Sequence, residues 1–182
     1  MILEKLKKTP SDLILLISAA IGIIILLVIN IVVLEPLANS GYSYGILDFE
    51  FAWTKSQILV IFAEWEVGMG IALQANGVYW DFLYIIGYSV PLFALILLFS
   101  RNLTGKIADT GIFISLTPLI AGIFDIVENV NLLIMLNDTT NFASIVPLIA
   151  SITAFIKFSF LLVGAIFFLV VLVLTVIKRF KK

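Results

Sequence analysis

Four apolar runs separated by short polar stretches set the pattern of the chain: residues 13–34, 78–100, 107–136 and 144–177. Each is long enough for a helix to cross about 30 Å of hydrocarbon, which takes about 20 residues. Thr9-Pro10-Ser11-Asp12 precedes the first run as a helix start, with a hydroxyl cap, an early proline and an acid near the positive end of the helix dipole. Glu35-Pro36 closes that run where a leader peptide would carry a small-residue cleavage site, so the run reads as a retained span.

The one long connection covers residues 36–77. Gly41-Tyr-Ser-Tyr-Gly45 reads as a turn, and Leu47-Asp48-Phe49-Glu50-Phe51 alternates apolar with acidic positions. Thr54-x-x-Gln57 has the spacing of a capping box and opens an apolar run, 58–73, that contains Glu64 and Glu66 and is broken by Gly68 and Gly70. The pattern predicts an amphipathic helix lying at the membrane surface. Trp53, Trp65, Tyr79 and Trp80 near it suit an interfacial aromatic belt.

Composition agrees with the pattern. Of 182 residues, 62% are hydrophobic and 13% charged, and the mean hydropathy is +1.20. Soluble domains carry about 25% charged residues. The expected fold is therefore an all-α, polytopic membrane protein: a four-transmembrane-helix bundle forming a single membrane domain over residues 1–182, with an outer interfacial helix between spans 1 and 2.

The net charge of −1 hides a strong segregation. Basic residues gather at the N-terminus (Lys5, Lys7, Lys8), between spans 2 and 3 (Arg101, Lys106) and in the tail from Lys178 to Lys182. The first connection sets Lys55 against Asp48, Glu50, Glu64 and Glu66, and residues 137–141 contain no basic residue. The lysine and arginine bias places both termini in the cytoplasm of a multi-pass cell-membrane protein.

With no cysteine and no histidine, disulfides, thiol catalysis and imidazole-based triads are excluded. A zinc, copper or non-haem iron site is disfavoured for the same reason. No cofactor is evident; a hard cation at carboxylates is the one metal these residue types could hold. No phosphate-binding glycine loop and no nucleic-acid-binding patch is visible. Membrane lipids and a small amphiphile are the expected partners.

The candidate chemistry lies within the spans. Asp125, Glu128, Asn129 and Asn131 occupy the third run where a lipid-facing helix would carry leucine or isoleucine, and Lys157 is the lone basic residue inside the fourth. Ionisable groups at membrane depth are costly and by default mark a functional site with a partner. Pro118, Ala121, Gly122, Asp125, Glu128, Asn129 and Leu132 follow helical spacing, as do Ala150, Thr153, Ala154, Lys157 and Gly164. Both stripes mix small with polar residues, which predicts that they face other helices.

Asp81, Tyr84 and Tyr88 share one face of the second span, and Pro91 on the same stripe predicts a kink. At about 1.5 Å per residue, Asp125 lies roughly 22 Å past Thr110, and Lys157 about 30 Å from Ile177. Both belong to the outer half of the bilayer. The expectation is an outward-facing polar pocket lined by Asp81, Tyr84, Tyr88, Asn129, Lys157, Asp48 and Glu50, with Asp125 and Glu128 as acid/base or cation-stabilising groups. Set against a purely structural polar network, a ligand site is favoured because three charges exceed what helix pairing needs.

Pro118-Leu-Ile-Ala-Gly-Ile-Phe-Asp125-Ile-Val-Glu128-Asn129 and Ala150-Ser-Ile-Thr-Ala-Phe-Ile-Lys157 together resemble a group of small prokaryotic four-span membrane proteins. That group is marked by D-x-x-E-N in the third span and a lysine after A-S-x-x-T in the fourth. An aspartate opening the second span and a following tyrosine match Asp81 and Tyr88. The resemblance implies the site residues and the four-span layout but no activity. The functional expectation is binding of, or action on, a lipid-like molecule. Ion or proton translocation, or a role as an accessory subunit of a larger membrane complex, are the alternatives.

Overall fold

The computed structural model describes residues 2–180; the expectations for Lys181 and Lys182 lie outside the described residues. The chain is 81% helical, with no strand among the described residues. Its helices are α1 (Ile2–Leu6), α2 (Asp12–Ile29), α3 (Glu35–Ala38), α4 (Ile46–Glu50), α5 (Lys55–Trp65), α6 (Gly70–Arg101), α7 (Lys106–Ile114), α8 (Thr117–Asn137) and α9 (Ile145–Phe180). Four stretches, Asp12–Ala38, Gly70–Arg101, Lys106–Asn137 and Ile145–Phe180, are long and apolar enough to cross a membrane.

Their boundaries correct the sequence-based ones. The first stretch runs past Glu35-Pro36 because Asn30–Leu34 widens into a π-helical turn, in which the Glu35 N–H reaches back five residues to the Asn30 carbonyl. Such bulges let a helix adjust around an irregular position, here one residue ahead of a proline that has no N–H to donate. The second stretch starts at Gly70, eight residues before the expected position, so residues 70–73 belong to it and not to the preceding amphipathic helix. α6 then continues through Pro91 to Arg101 as one helix.

The third stretch, expected to be a single helix, breaks at Ser115-Leu116. Pro118 has no N–H to offer the Ile114 carbonyl four residues back, and the Thr117 hydroxyl donates to that carbonyl instead, at 2.9 Å. The Ser115 hydroxyl likewise donates to the Ile112 carbonyl at 2.7 Å.

The chain divides into two compact units, with the divisions falling inside the long helices. One comprises the chain up to Ile25, Ile86–Gly122 and the chain from Phe158. Its core is built on Leu15, Ala19, Ala94, Leu97 and Ile112. Arg101 organises its polar edge: the guanidinium donates to the Leu6 carbonyl at 2.6 and 2.9 Å, to the Pro10 carbonyl at 2.7 Å and to Asp12 Oδ1 at 2.8 Å. The planar fork of arginine suits several fixed acceptors at once. Lys7 pairs with Glu4 and Asp109, each at 2.9 Å, and these two carboxylates hold its ammonium above its ordinary value.

The other unit comprises Leu26–Ile85 and Ile123–Lys157. α5 begins as the sequence predicts, with Thr54 Oγ1 accepting the Gln57 N–H at 3.3 Å. Its apolar face, Ile58, Ile61, Phe62 and Trp65, is fully buried against Phe49, Leu132, Met135 and Phe142. Burying a side chain of this size contributes about 1.5–3 kcal/mol, so the helix is held by the protein core. Trp65 Nε1 donates to the Tyr44 carbonyl at 3.0 Å and Lys55 Nζ to the Phe142 carbonyl at 2.8 Å. The turn from α5 into α6 passes through Gly68 at φ 98, a left-handed conformation that favours glycine.

Candidate functional site

The second unit is built around Lys157. Its ammonium lies 2.9 Å from Asp125 Oδ1, 2.9 Å from Glu128 Oε2 and 3.3 Å from Glu50 Oε1, and it also donates to Glu128 Oε1 at 2.9 Å. The group is sealed: Glu128 is 0% exposed, Asp125 2%, Lys157 4% and Glu50 7%.

Helical spacing places these groups. Asp125 and Glu128 are three residues apart on α8 and so share a face, together with Ala121, Gly122, Asn129 and Leu132, all of them buried. The α9 stripe of Ala150, Thr153, Ala154, Lys157 and Gly164 is buried as expected. Thr153 Oγ1 bonds its own helix, donating to the Ile149 and Ala150 carbonyls, both at 2.9 Å.

Asn129 Nδ2 donates to Asp81 Oδ2 at 2.6 Å, which joins α6 to the cluster. Asp81 is half-buried, in contrast to the sealed core. Asn131 turns back on its own helix, donating to the Val127 carbonyl at 2.7 Å. Tyr84 Oη stands 3.4 Å from Nδ2 of Asn30, which also bonds the Leu26 carbonyl at 2.8 Å beside the π turn. Tyr88 lies one turn beyond Tyr84 on α6, within the stretch assigned to the other compact unit.

Asp48 and Glu50 part company. The alternating pattern pairs them on one side, but residues 46–50 form helix α4, where positions two apart do not face each other. Asp48 is exposed and caps the helix, its Oδ2 accepting the Gly45 N–H at 2.8 Å. The structure thus places Asp48 at the exposed start of α4. Glu50 enters the cluster. Burial pushes its carboxyl above the ordinary value, with nearby Lys157 opposing this and Asp125 adding to it, and its Oε2 has no hydrogen-bond partner.

Sequence reasoning missed Ser151. Its hydroxyl donates to the Glu50 carbonyl at 2.7 Å and accepts the Trp53 N–H at 3.0 Å, fastening the turn after α4 to α9. Trp53 sits there at φ 60, an uncommon conformation for a bulky residue. The sequence signals for it were its place beside the predicted buried stripe and in the A-S-x-x-T stretch.

Four carboxylates thus surround or adjoin one ammonium. Among the described residues no group of three or more His, Cys, Asp or Glu side chains is arranged to hold a metal ion. The arrangement can bind a positive or hydrogen-donating group and exchange protons with it. Comparison with protein-family models, curated proteins and solved structures finds no match to this chain.

Proposed function

We propose that this is a multi-pass cell-membrane protein whose Lys157-centred carboxylate cluster binds the head group of a lipid-like, amphiphilic molecule that arrives from the outer leaflet past Asp81. The observation that carries the reading is the charge imbalance: Asp81, Asp125, Glu128 and Glu50 against Lys157 alone. Buried charge is tolerated when it is paired and hydrogen-bonded, and a cationic or donor-rich head group supplies the missing complement.

Asp81 is the half-buried edge of this group and the natural point of entry. The lysine and arginine bias puts the first and third connections outside. Tyr79, Trp80 and Trp53 are exposed near the same end, which suits an interfacial belt, and α5 keeps Leu59 and Val60 exposed for the membrane surface. In this reading Asp125 and Glu128 are the acid/base pair, oriented by Lys157, and α4 with α5 forms the cover.

The test is lipid co-purification with thermal unfolding of the purified protein. Asp81→Asn and Asp125→Asn should lose a bound amphiphile that wild type retains, together with the stabilisation it confers. An unchanged lipid complement and unchanged melting in Asp125→Asn and Lys157→Met would remove the proposal. The same charge imbalance supports a second reading, proton or cation translocation, which requires flux in proteoliposomes that Asp125→Asn abolishes.

A further inference from the structure

A cavity stands apart from the carboxylate cluster in the residues that line it. It has a volume of about 350 Å³ and lies where the end of the first long stretch, the 40–48 segment and the start of α6 meet, with Leu37, Tyr42, Tyr44, Leu47, Asp48 and Gln74 among its walls. The size falls within the range of small-molecule pockets, about 300–1,000 Å³. Its walls are mostly apolar, with few polar groups.

One of those polar groups is unsatisfied. Gln74 is 2% exposed, and its Oε1 is buried with no hydrogen-bond partner. An orphaned buried acceptor costs about 1–3 kcal/mol and calls for an explanation. Two neighbouring groups are engaged elsewhere: the Tyr42 hydroxyl donates to the Val67 carbonyl at 3.2 Å, and the Tyr44 carbonyl accepts from Trp65 at 3.0 Å. Asp48 lines the same cavity at its exposed side, holding Gly45 with one carboxylate oxygen. What Gln74 Oε1 lacks is a donor.

We infer that the cavity bounded by Leu37, Tyr44, Leu47 and Gln74 is a binding site for a neutral single-chain amphiphile with a hydroxyl head, of the monoacylglycerol class. A hydroxyl donates to Gln74 Oε1, and the apolar walls take the start of the acyl chain. An ammonium head is disfavoured at the buried end, because Gln74 offers no charge to offset its desolvation. A carboxylate head is disfavoured because it brings only acceptors to a site that needs a donor and would face Asp48.

The experiment uses the full chain in nanodiscs with three photoreactive diazirine probes of equal chain length: a monoacylglycerol, a fatty acid and a fatty amine. Labelled peptides are mapped by mass spectrometry. The monoacylglycerol should label residues 34–48 and 70–77 saturably, at least five-fold above the other two probes. Gln74→Leu should cut that labelling at least five-fold. Leu47→Trp, a substitution at a residue 56% exposed on the rim, should block the cavity without altering the melting temperature.

If Gln74→Leu does not fold, Leu47→Trp decides. Non-saturable labelling, equal labelling by all three probes, or undiminished labelling in folded Leu47→Trp overturns the inference. Labelling confined to residues 121–131 and 150–157 also overturns it, since that would place the probe at the carboxylate cluster alone.

Discussion

The Glu50 carboxylate lies 3.3 Å from the Lys157 ammonium, so a residue of the first connection completes a charge group otherwise drawn from α8 and α9. The cover over the cluster is therefore one of its members. Any movement of α4 changes the electrostatic surroundings of Lys157 directly.

Removing Lys157 should be the most damaging single change. Lys157→Met leaves Asp125 and Glu128 buried without their cation, and breaking a buried ion pair from one side costs about 3–5 kcal/mol. Thermal unfolding should show a large drop, partly recovered in Lys157→Met/Glu128→Gln. No recovery in the double variant would mean that the loss comes from packing.

Glu50 should make stability fall as pH rises. Its carboxyl titrates above the ordinary 4.5, chiefly through burial, while Lys157 from α9 lowers it and Asp125 from α8 raises it; Glu128 on α8 and Asp81 on α6 belong to the same group. The folded state then holds the proton more tightly than the unfolded state. The contribution is complete below 4.5 and is lost as pH climbs through the raised value. Melting temperature measured against pH should decline over that window, and Glu50→Gln should flatten the decline.

Ser151→Ala should loosen the cover while sparing the helices. It removes the donor to the Glu50 carbonyl, in a buried setting, and the acceptor of the Trp53 N–H, in a partly buried one. A cost of about 1–3 kcal/mol is expected. Hydrogen exchange should speed up at residues 50–54 and stay unchanged at the start of α5, where Thr54 still caps the helix.

The absence of cysteine makes topology directly readable. Single cysteines at the exposed positions Val67 and Asn137 should react with a membrane-impermeant maleimide in intact cells. Leu3→Cys and Thr104→Cys, also exposed, should react only after permeabilisation. The reverse pattern would invert the assignment of both termini to the cytoplasm.

Much of this architecture is local in origin, which is why it was legible. Long apolar runs declare four stretches able to span a membrane whatever surrounds them. A period of 3.6 residues decides which side chains share a helix face, so the buried stripes through Asp125 and Glu128 and through Lys157 could be read directly, and so could the partnership of the three. Helix ends were less legible. The π turn before Pro36 lets the first stretch continue through a proline, while at Pro118 the helix breaks and the Thr117 hydroxyl serves the Ile114 carbonyl.

The sequence by itself determined the number of long apolar helices, their polar faces and the cation at the centre of the cluster, because each follows from spacing along one helix or from the cost of burying charge. Only the tertiary structure decided that Glu50 enters the cluster while Asp48 caps α4, that Ser151 fastens the turn at Trp53, and that Gln74 lines a separate cavity with an unsatisfied oxygen. These depend on how one short segment folds and where it docks. Contacts among residues far apart in the chain govern that, and no local pattern encodes them.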